Sequence, residues 1–391
     1  MTAYRVIDVE TTIRSDVHGS SPFSGDNKMV QLGMLEEGSI PYTPRMPRPL
    51  QANVALSGSV VLVGHNIGFD LKWLWKVNGA VVLPTAIWDT QQVEYLLSGQ
   101  RHLYPSLDAL CLLYGLPLKD DKIKEYWNKG VDTEDIPPEE LTAYLIGDLK
   151  NTEAIYQMQR SILSHPDLEK LNELVKVKME DLLFTTLMEY YGMEFDLPRA
   201  LELKTTKEEQ LAVVEKSFNS HVSLHLGRYP VADDGTVPSM WEPQIGSNKD
   251  LGILFFGGEA SYLVDVEVGV FKTGPRKGSP KFKKETRHVT IPRPEGVIAH
   301  YVGGKTGPKV DDEVLNSIAD DREIAIPVRH IAGFVLEWRA LKKEITTYLE
   351  GYSKMVTPDG RIHATINHCS TATGRQSCTK PNLQNVSGVE E

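Results

Sequence analysis

Cysteine is scarce. Cys111, Cys369 and Cys378 are the only three in 391 residues, too few and too scattered for a disulfide framework or a four-ligand zinc site. A reducing compartment is therefore expected. No apolar run approaches the length of a bilayer span, and the opening MTAYRVIDVETT lacks a basic-then-apolar leader pattern. Together these predict a cytoplasmic protein with no membrane association. Basic residues are outnumbered, 42 Lys and Arg against 53 Asp and Glu, for a formal charge of −11. That balance excludes a generic basic coat for nucleic acid. It leaves room for a local basic groove, or for an acidic metal pocket that acts on nucleic acid. No internal repeat is present. What remains is ample: 41% of residues are hydrophobic, enough for a sizeable core, and the length suits two or three domains.

Residues 3–9, 29–35 and 59–64 are short, β-branched and apolar, and predict strands. The third is a continuous apolar run, as in a strand covered on both faces. Helical patterns follow over 69–78, 86–97, 105–115 and about 137–162. The last opens on Pro137 and Pro138, with Glu139 and Glu140 in its first turn, where the helix dipole favours negative charge. Strands with alternating helices predict an α/β domain over residues 1–165. Helices are next expected over 167–190 and 198–220, then near 311–319 and 327–352. Between them lies a Gly/Pro-rich stretch, about 223–308, with few helical periods. Within it, residues 271–288 carry seven Lys and Arg and one acid.

Asp8 and Glu10 lie two apart on the first predicted strand, so both carboxylates leave one face. Two acids among Val and Ile are costly if buried unpaired, and a divalent cation resolves the cost. Hard oxygen donors suit Mg²⁺ or Mn²⁺ rather than zinc. Taken alone, a D-x-E pair equally describes two acids at an exposed strand end. Asp70 follows the third strand in VLVGHNIGFDLKWL, and strand carboxyl ends are where open α/β sheets bind ligands. As a lone residue it also fits a helix N-terminal acid. Tyr144 and Asp148, at i and i+4 on the long helix, share a face with Leu141 and Leu145. An aspartate in that stripe needs compensation unless it sits at the stripe's solvated edge. In combination, four carboxylates and a tyrosine are what two-metal phosphodiester hydrolysis requires.

The ordered triple D-x-E, G-H-N-x-x-F-D and Y-x-x-x-D resembles the DEDD superfamily of 3′–5′ exonucleases, in the branch with tyrosine in its third motif. The resemblance covers about 1–160. It implies an RNase H-like fold and two divalent ions, with Asp8, Glu10 and Asp148 holding one ion and Asp8 and Asp70 serving the second. It implies that Glu10 and Tyr144 position the nucleophile, and that Thr11 and Asn66 touch the substrate strand. Phe69 stands where many relatives have tyrosine.

The remainder of the chain resembles family A DNA polymerases. EYYGMEFD (189–196) is similar to their segment between exonuclease and polymerase. GSNKDLGILFF (246–256) and WRALKKEITTYLEGY (338–352) are similar to thumb elements. DGRIHATINHCSTATGRQSCTKPNLQN (359–385) is close to the family pattern, with Cys378 in place of the usual serine. The implied organisation is an α/β exonuclease domain (1–165), then a mostly helical thumb with a basic insertion (166–352), then the start of an incomplete polymerase palm (353–391). Arg375 at a Gly turn, with Asn382, Gln384 and Asn385, offers contacts to phosphate, sugar or groove edges; the same residues also fit a polar loop capping a helix. Lys281, Lys283 and Lys284 represent the basic run, read either as phosphate-binding or as a solvated β-hairpin.

The expected partners are DNA, as a single-stranded 3′ end and as primer–template duplex, and a second polypeptide carrying the fingers and the remaining palm. The polymerase carboxylates of the family follow the PNLQN segment, so no polymerisation is expected of these 391 residues alone; the missing part is expected either on that second polypeptide or in the remainder of a longer chain of which this is a fragment. A processivity factor on the insertion is compatible with the pattern. The exonuclease-first layout resembles phage replicative enzymes, which would place the protein in a bacterial host cytoplasm. Two other functions fit parts of the chain: a non-catalytic assembly half that grips DNA, and an RNA exonuclease of the RNase D kind.

Overall fold

The computed structural model describes residues 3–118, 122–229, 237–297 and 309–386. They form two compact units, one of residues 1–197 with 351–391, the other of residues 198–350.

The first unit is built on a four-stranded sheet of order β2-β1-β3-β4: β1 (Tyr4–Thr11), β2 (Met29–Glu36), β3 (Val61–Gly64) and β4 (Ala86–Asp89). β2 runs antiparallel to β1, whereas β3 and β4 are parallel to it. Its helices are α1 (Pro49–Leu56), α2 (Ile67–Asn78), α3 (Thr90–Leu97), α4 (Leu107–Tyr114), α5 (Lys122–Asn128), α6 (Pro138–Leu163) and α7 (Glu169–Tyr191). The apolar core gathers Ile7, Leu32, Leu62, Leu71, Leu74 and Trp75 with Val175, Met179 and Cys369.

Three of the expected strands form within two residues of their sequence limits. The expected helix over 86–97 instead begins as strand β4. Asp89 accepts from the backbone N–H groups of Asn66, Ile67, Gln91 and Gln92. One buried carboxylate thus ends the strand, caps α3 and fixes the first turn of α2. Helices α1 and α5 have no counterpart in the sequence reading. Both are short, and neither carries both cap and periodicity signals.

In the second unit, α8 (Leu197–Leu226) leads to α9 (Asn248–Phe256), then to strands β6 (Gly258–Val270) and β7 (Pro280–Ile291), and closes with α10 (Asp312–Asp320) and α11 (Ile326–Lys343); β5 (Met193–Glu194) precedes α8. Beyond α11 the chain continues in wider π-type turns over Glu344–Gly351. Phe218, Leu251, Phe255, Leu315, Ala332 and Val335 are central to this core. β6 and β7 form a two-stranded antiparallel ribbon, so the Gly/Pro-rich stretch with few helical periods contains 25 residues of strand, 13 in β6 and 12 in β7. Parts of the expected 223–308 insertion, 230–236 and 298–308, lie outside the described residues.

The chain then returns to the first unit as β8 (Arg361–Ile362), β9 (Thr365–Asn367) and β10 (Ser377–Thr379). β8 pairs with β5, and β9 with β10. The compact units divide at 197/198 and 350/351. Helix α7 buries Val175 and Met179 in the sheet's core, and Cys369 joins the same cluster. Among the described residues no helix is long and apolar enough to cross a membrane.

Candidate active site

β1 runs on past its last pairing with β3, Val6 with Val63. The backbone N–H of Val9, beyond that point, donates to Asp70 Oδ1 at 3.0 Å. Asp70, in the first turn of α2, is thus seated on the backbone between Asp8 and Glu10. It is 2% exposed. Burial first, and then the negative charge of Asp8, hold its carboxyl well above the usual carboxylate range, against the pull of the Val9 N–H.

The face of β1 that carries Asp8 and Glu10 is turned toward α6. In the ladder Asp8 lies opposite Gly33 and Glu10 opposite Gln31. The Gln31 amide donates to Thr142 Oγ1 at 2.8 Å and to the Thr43 carbonyl at 3.1 Å. Gly33 meets the side chains of Leu145 and Leu149. These contacts bring Asp148, on the same helix, to the acids of β1. Carboxylate oxygens of Asp8, Glu10 and Asp148 lie within 4.8 Å of one another. Glu10 and Asp148 are buried and Asp8 is half-buried. The segments flanking the two elements are tied together as well: Arg14 Nε donates to Asp132 at 2.6 Å and Arg14 Nη2 to Glu134 at 2.5 Å.

Tyr144 precedes Asp148 by one turn of α6, with its ring against Trp127 at 6.0 Å between centroids. Tyr144, Gly147 and Asp148 line a cleft of about 620 Å³ along α6. Thr11 ends β1 at a register shift, and Asn66 stands exposed at the start of α2 in the left-handed region, φ 61°.

The other expected residues lie elsewhere. Arg375 is exposed in the turn between β9 and β10. The Asn382 side chain caps the short helical turn 383–385, accepting from Gln384 N–H at 3.0 Å. Gln384 donates to the Gln376 carbonyl, and Asn385 closes the same turn, exposed. Lys281, Lys283 and Lys284 are exposed on β7, in the other unit.

Sequence reasoning passed over Asp89, Gln31 and Gly33. A signal existed for Asp89, an Asp between an apolar AIW and a helical TQQVEYLL. None existed for Gln31 or Gly33, whose roles arise from residues more than a hundred positions away.

Residues 47–163 match the family described as 3'-5' exonuclease, and residues 294–391 the family described as DNA polymerase family A. The first match begins after β1, so it includes Asp70, Tyr144 and Asp148 but neither Asp8 nor Glu10. DNA polymerase I of Aquifex aeolicus is 24% identical over 388 residues, 98% of this chain and 54% of the relative. DNA polymerase I of Bacillus subtilis is 25% identical over 328 residues, 81% of this chain and 29% of the relative. Over 83 residues, 21% of this chain and 9% of the relative, DNA polymerase I of Caldicellulosiruptor bescii is 40% identical. The chain thus spans about half the length of the first relative and under a third of the second. The solved POL domain of Pol1 from M. smegmatis, in complex with DNA primer-template and dNTP, superposes with a TM-score of 0.63 at 17% identity, covering all of this chain and 53% of that one. At that identity the likeness is one of fold.

Proposed function

We propose, for a chain that belongs to the family A DNA polymerases and carries their 3′–5′ exonuclease domain, that the Asp8–Glu10–Asp148 cluster removes nucleotides from the 3′ end of a DNA strand in proofreading. The observation that carries this reading is the meeting of those three carboxylates within 4.8 Å, Asp148 lying 140 and 138 positions after Asp8 and Glu10.

The residues fit divalent cations. Like charges this close repel, and burial and then Asp8 hold the Asp70 carboxyl well above the usual carboxylate range. A cation relieves both, and an all-oxygen donor set suits Mg²⁺ or Mn²⁺. In the proposal Asp8, Glu10 and Asp148 hold one ion, and Asp8 with Asp70 serves a second. Bound there, the ions supply Lewis acidity, making water a better nucleophile and stabilising charge on the departing 3′ oxygen.

The protein's own groups do the rest. Glu10 accepts a hydrogen bond from the attacking water. The Tyr144 hydroxyl, one turn from Asp148, orients that water from the cleft side. Thr11 and the exposed Asn66 flank the acids and hold the terminal nucleotide's strand. Arg375, with the side chains of Asn382, Gln384 and Asn385, is assigned to duplex contact.

The test is hydrolysis of a 3′-tailed DNA by the purified chain with Mg²⁺ or Mn²⁺. Asp8→Ala should slow release of 3′ nucleotides by about 10³-fold, the worth of several kcal/mol of charge stabilisation. A wild-type protein that binds the tailed DNA and leaves it intact with either metal would refute the proposal. Faster hydrolysis of the matching RNA would turn the reading toward RNA processing.

A further inference from the structure

The ribbon of β6 and β7 is unlike the rest of the molecule in charge and in exposure. Its 13 and 12 residues span about 40 Å at ~3.4 Å per residue. Only its base is buried, at Ala260, Val289 and Ile291. From Pro280 to His288 every residue of β7 is exposed. A two-stranded ribbon of this kind gains little stability from itself.

Charge is sorted along it. The distal residues 268–284 hold six Lys and Arg and no acid, in a chain that has 42 such cations against 53 acids. The tip is ordered. Phe271 N–H donates to the Ser279 carbonyl at 3.0 Å, Gly278 N–H to the Phe271 carbonyl at 2.9 Å, and the Arg276 guanidinium lies 5.0 Å from the Phe271 ring centre.

Register decides which cations are open. Lys283 lies opposite Val266, Lys281 opposite Gly269 and Arg287 opposite Tyr262. These three share the face that carries Ala260 and Val289 at the base, with Glu285, opposite Val264, as the acid between Lys283 and Arg287, and their cross-strand neighbours are uncharged. Lys284 is on the other face, opposite Asp265, and Phe282 beside it is opposite Glu267. A cross-strand carboxylate offsets a lysine's charge locally. Neither Lys281 nor Lys283 has an ion-pair partner among the described residues.

We propose that the ribbon is an arm that holds duplex DNA by its phosphate backbone, through the Lys281–Lys283 face and the Arg276–Lys277 tip, with Lys284 contributing little. Positive charge on an otherwise acidic protein suits a polyanion. A two-stranded ribbon fits the roughly 12 Å width of a DNA major groove. The i, i+2 spacing of about 6.8 Å on one face is twice the ~3.4 Å axial spacing of phosphates on one strand. The inference rests on the proposed function only for the choice of polymer.

The experiment measures anisotropy of a labelled mixed-sequence duplex bound to the full chain across a salt series. Each phosphate contact contributes about −0.9 to the slope of log K against log salt. Lys281→Ala with Lys283→Ala should flatten that slope by about 1.8, so that from ~50 to ~200 mM salt the variant loses about tenfold less affinity than wild type. Lys284→Ala should change it by well under half as much as the double variant. All three positions are exposed, and circular dichroism verifies that the variants fold. An unchanged slope in the double variant overturns the inference, as does an equal effect of Lys284→Ala; duplex binding kept while a protein ligand is lost would assign the arm to that protein instead. Wild-type hydrolysis of a single-stranded 3′ end is read separately. If hydrolysis fails and the slope still flattens, the arm stands and the exonuclease reading falls.

Discussion

Gly33 lies opposite Asp8 across the β1–β2 ladder, and the Cβ it lacks would stand 2.8 Å from Leu149 Cδ1 and 3.1 Å from Leu145 Cγ. Both leucines are fully buried on α6. The missing side chain is what lets the helix carrying Asp148 press against the strand carrying Asp8.

Gly33→Val should therefore separate the two acids. Overpacking of this kind costs about 1–3 kcal/mol, read as a lower urea midpoint at unchanged m-value. Hydrolysis of a 3′ end under conditions where the variant is folded should fall by more than tenfold. A variant as active as wild type would show that α6 is not held by this contact.

Asp70→Asn keeps an acceptor for the Val9 N–H and removes a buried charge beside Asp8. In chelator the variant should melt higher than wild type. Wild type should gain from added Mg²⁺ or Mn²⁺ by mass action, about 2.7 kcal/mol at a hundred times the dissociation constant, and the variant should gain less. Its hydrolysis should drop about 10²–10³-fold. Thermal melts with and without metal test both effects; equal metal-induced shifts would count against Asp70 as a ligand.

Lys72 of α2 pairs with Glu189 of α7, whose other oxygen accepts the Ile366 N–H of β9. Their side chains are 16% and 8% exposed. Glu189→Gln keeps a group for Ile366 but leaves the ammonium without its counter-charge, a loss of about 3 kcal/mol. Adding Lys72→Met should restore part of it. A denaturation double-mutant cycle reads the coupling, and additive losses would mean the pair does not act as one.

His368 is buried, and its Nε2 lies 2.7 Å from Thr185 Oγ1. The side-chain amides of Gln92 and Gln376 both approach Nδ1 at 3.4 Å. Two donors on Nδ1 select the neutral ring with its proton on Nε2. Burial, and then Lys178, lower the pKa from 6.5, while Asp181 and Glu189 pull the other way. The unfolded chain therefore takes up a proton at a higher pH than the folded one. This part of the stability is complete well above pH 6.5 and is lost progressively as pH falls from there through the lower folded pKa. Thermal melts from about pH 7 to 5 should show a steeper fall in wild type than in His368→Gln; parallel curves would remove His368 from the acid response.

The local chemistry of the site was legible because backbone periods are fixed. Residues 8 and 10 share a strand face, and 144 and 148 a helix face, whatever surrounds them. Asp70 was found by its place just after a strand. Strand β4 was missed because AIW is only three residues long and runs directly into a helical pattern; the Asp at their junction was a cap signal that was passed over, and its four amide contacts end the strand there. The basic run was equally visible, but Lys281, Lys283 and Lys284 could not be ranked: a register shift between Glu267 and Gly269 and the cross-strand neighbours decide which are open.

The sequence by itself determined which side chains could act together within one element, since a repeat of two or of 3.6 residues is a property of the backbone. Tertiary structure alone decided that Asp8 and Asp148 meet, that α7 and β9 join the sheet's unit, and which face of the ribbon is cationic. Those outcomes depend on contacts between residues far apart in the chain, such as Gly33 with Leu149 and Lys72 with Glu189. Close packing and burial select such contacts, and no local pattern encodes them.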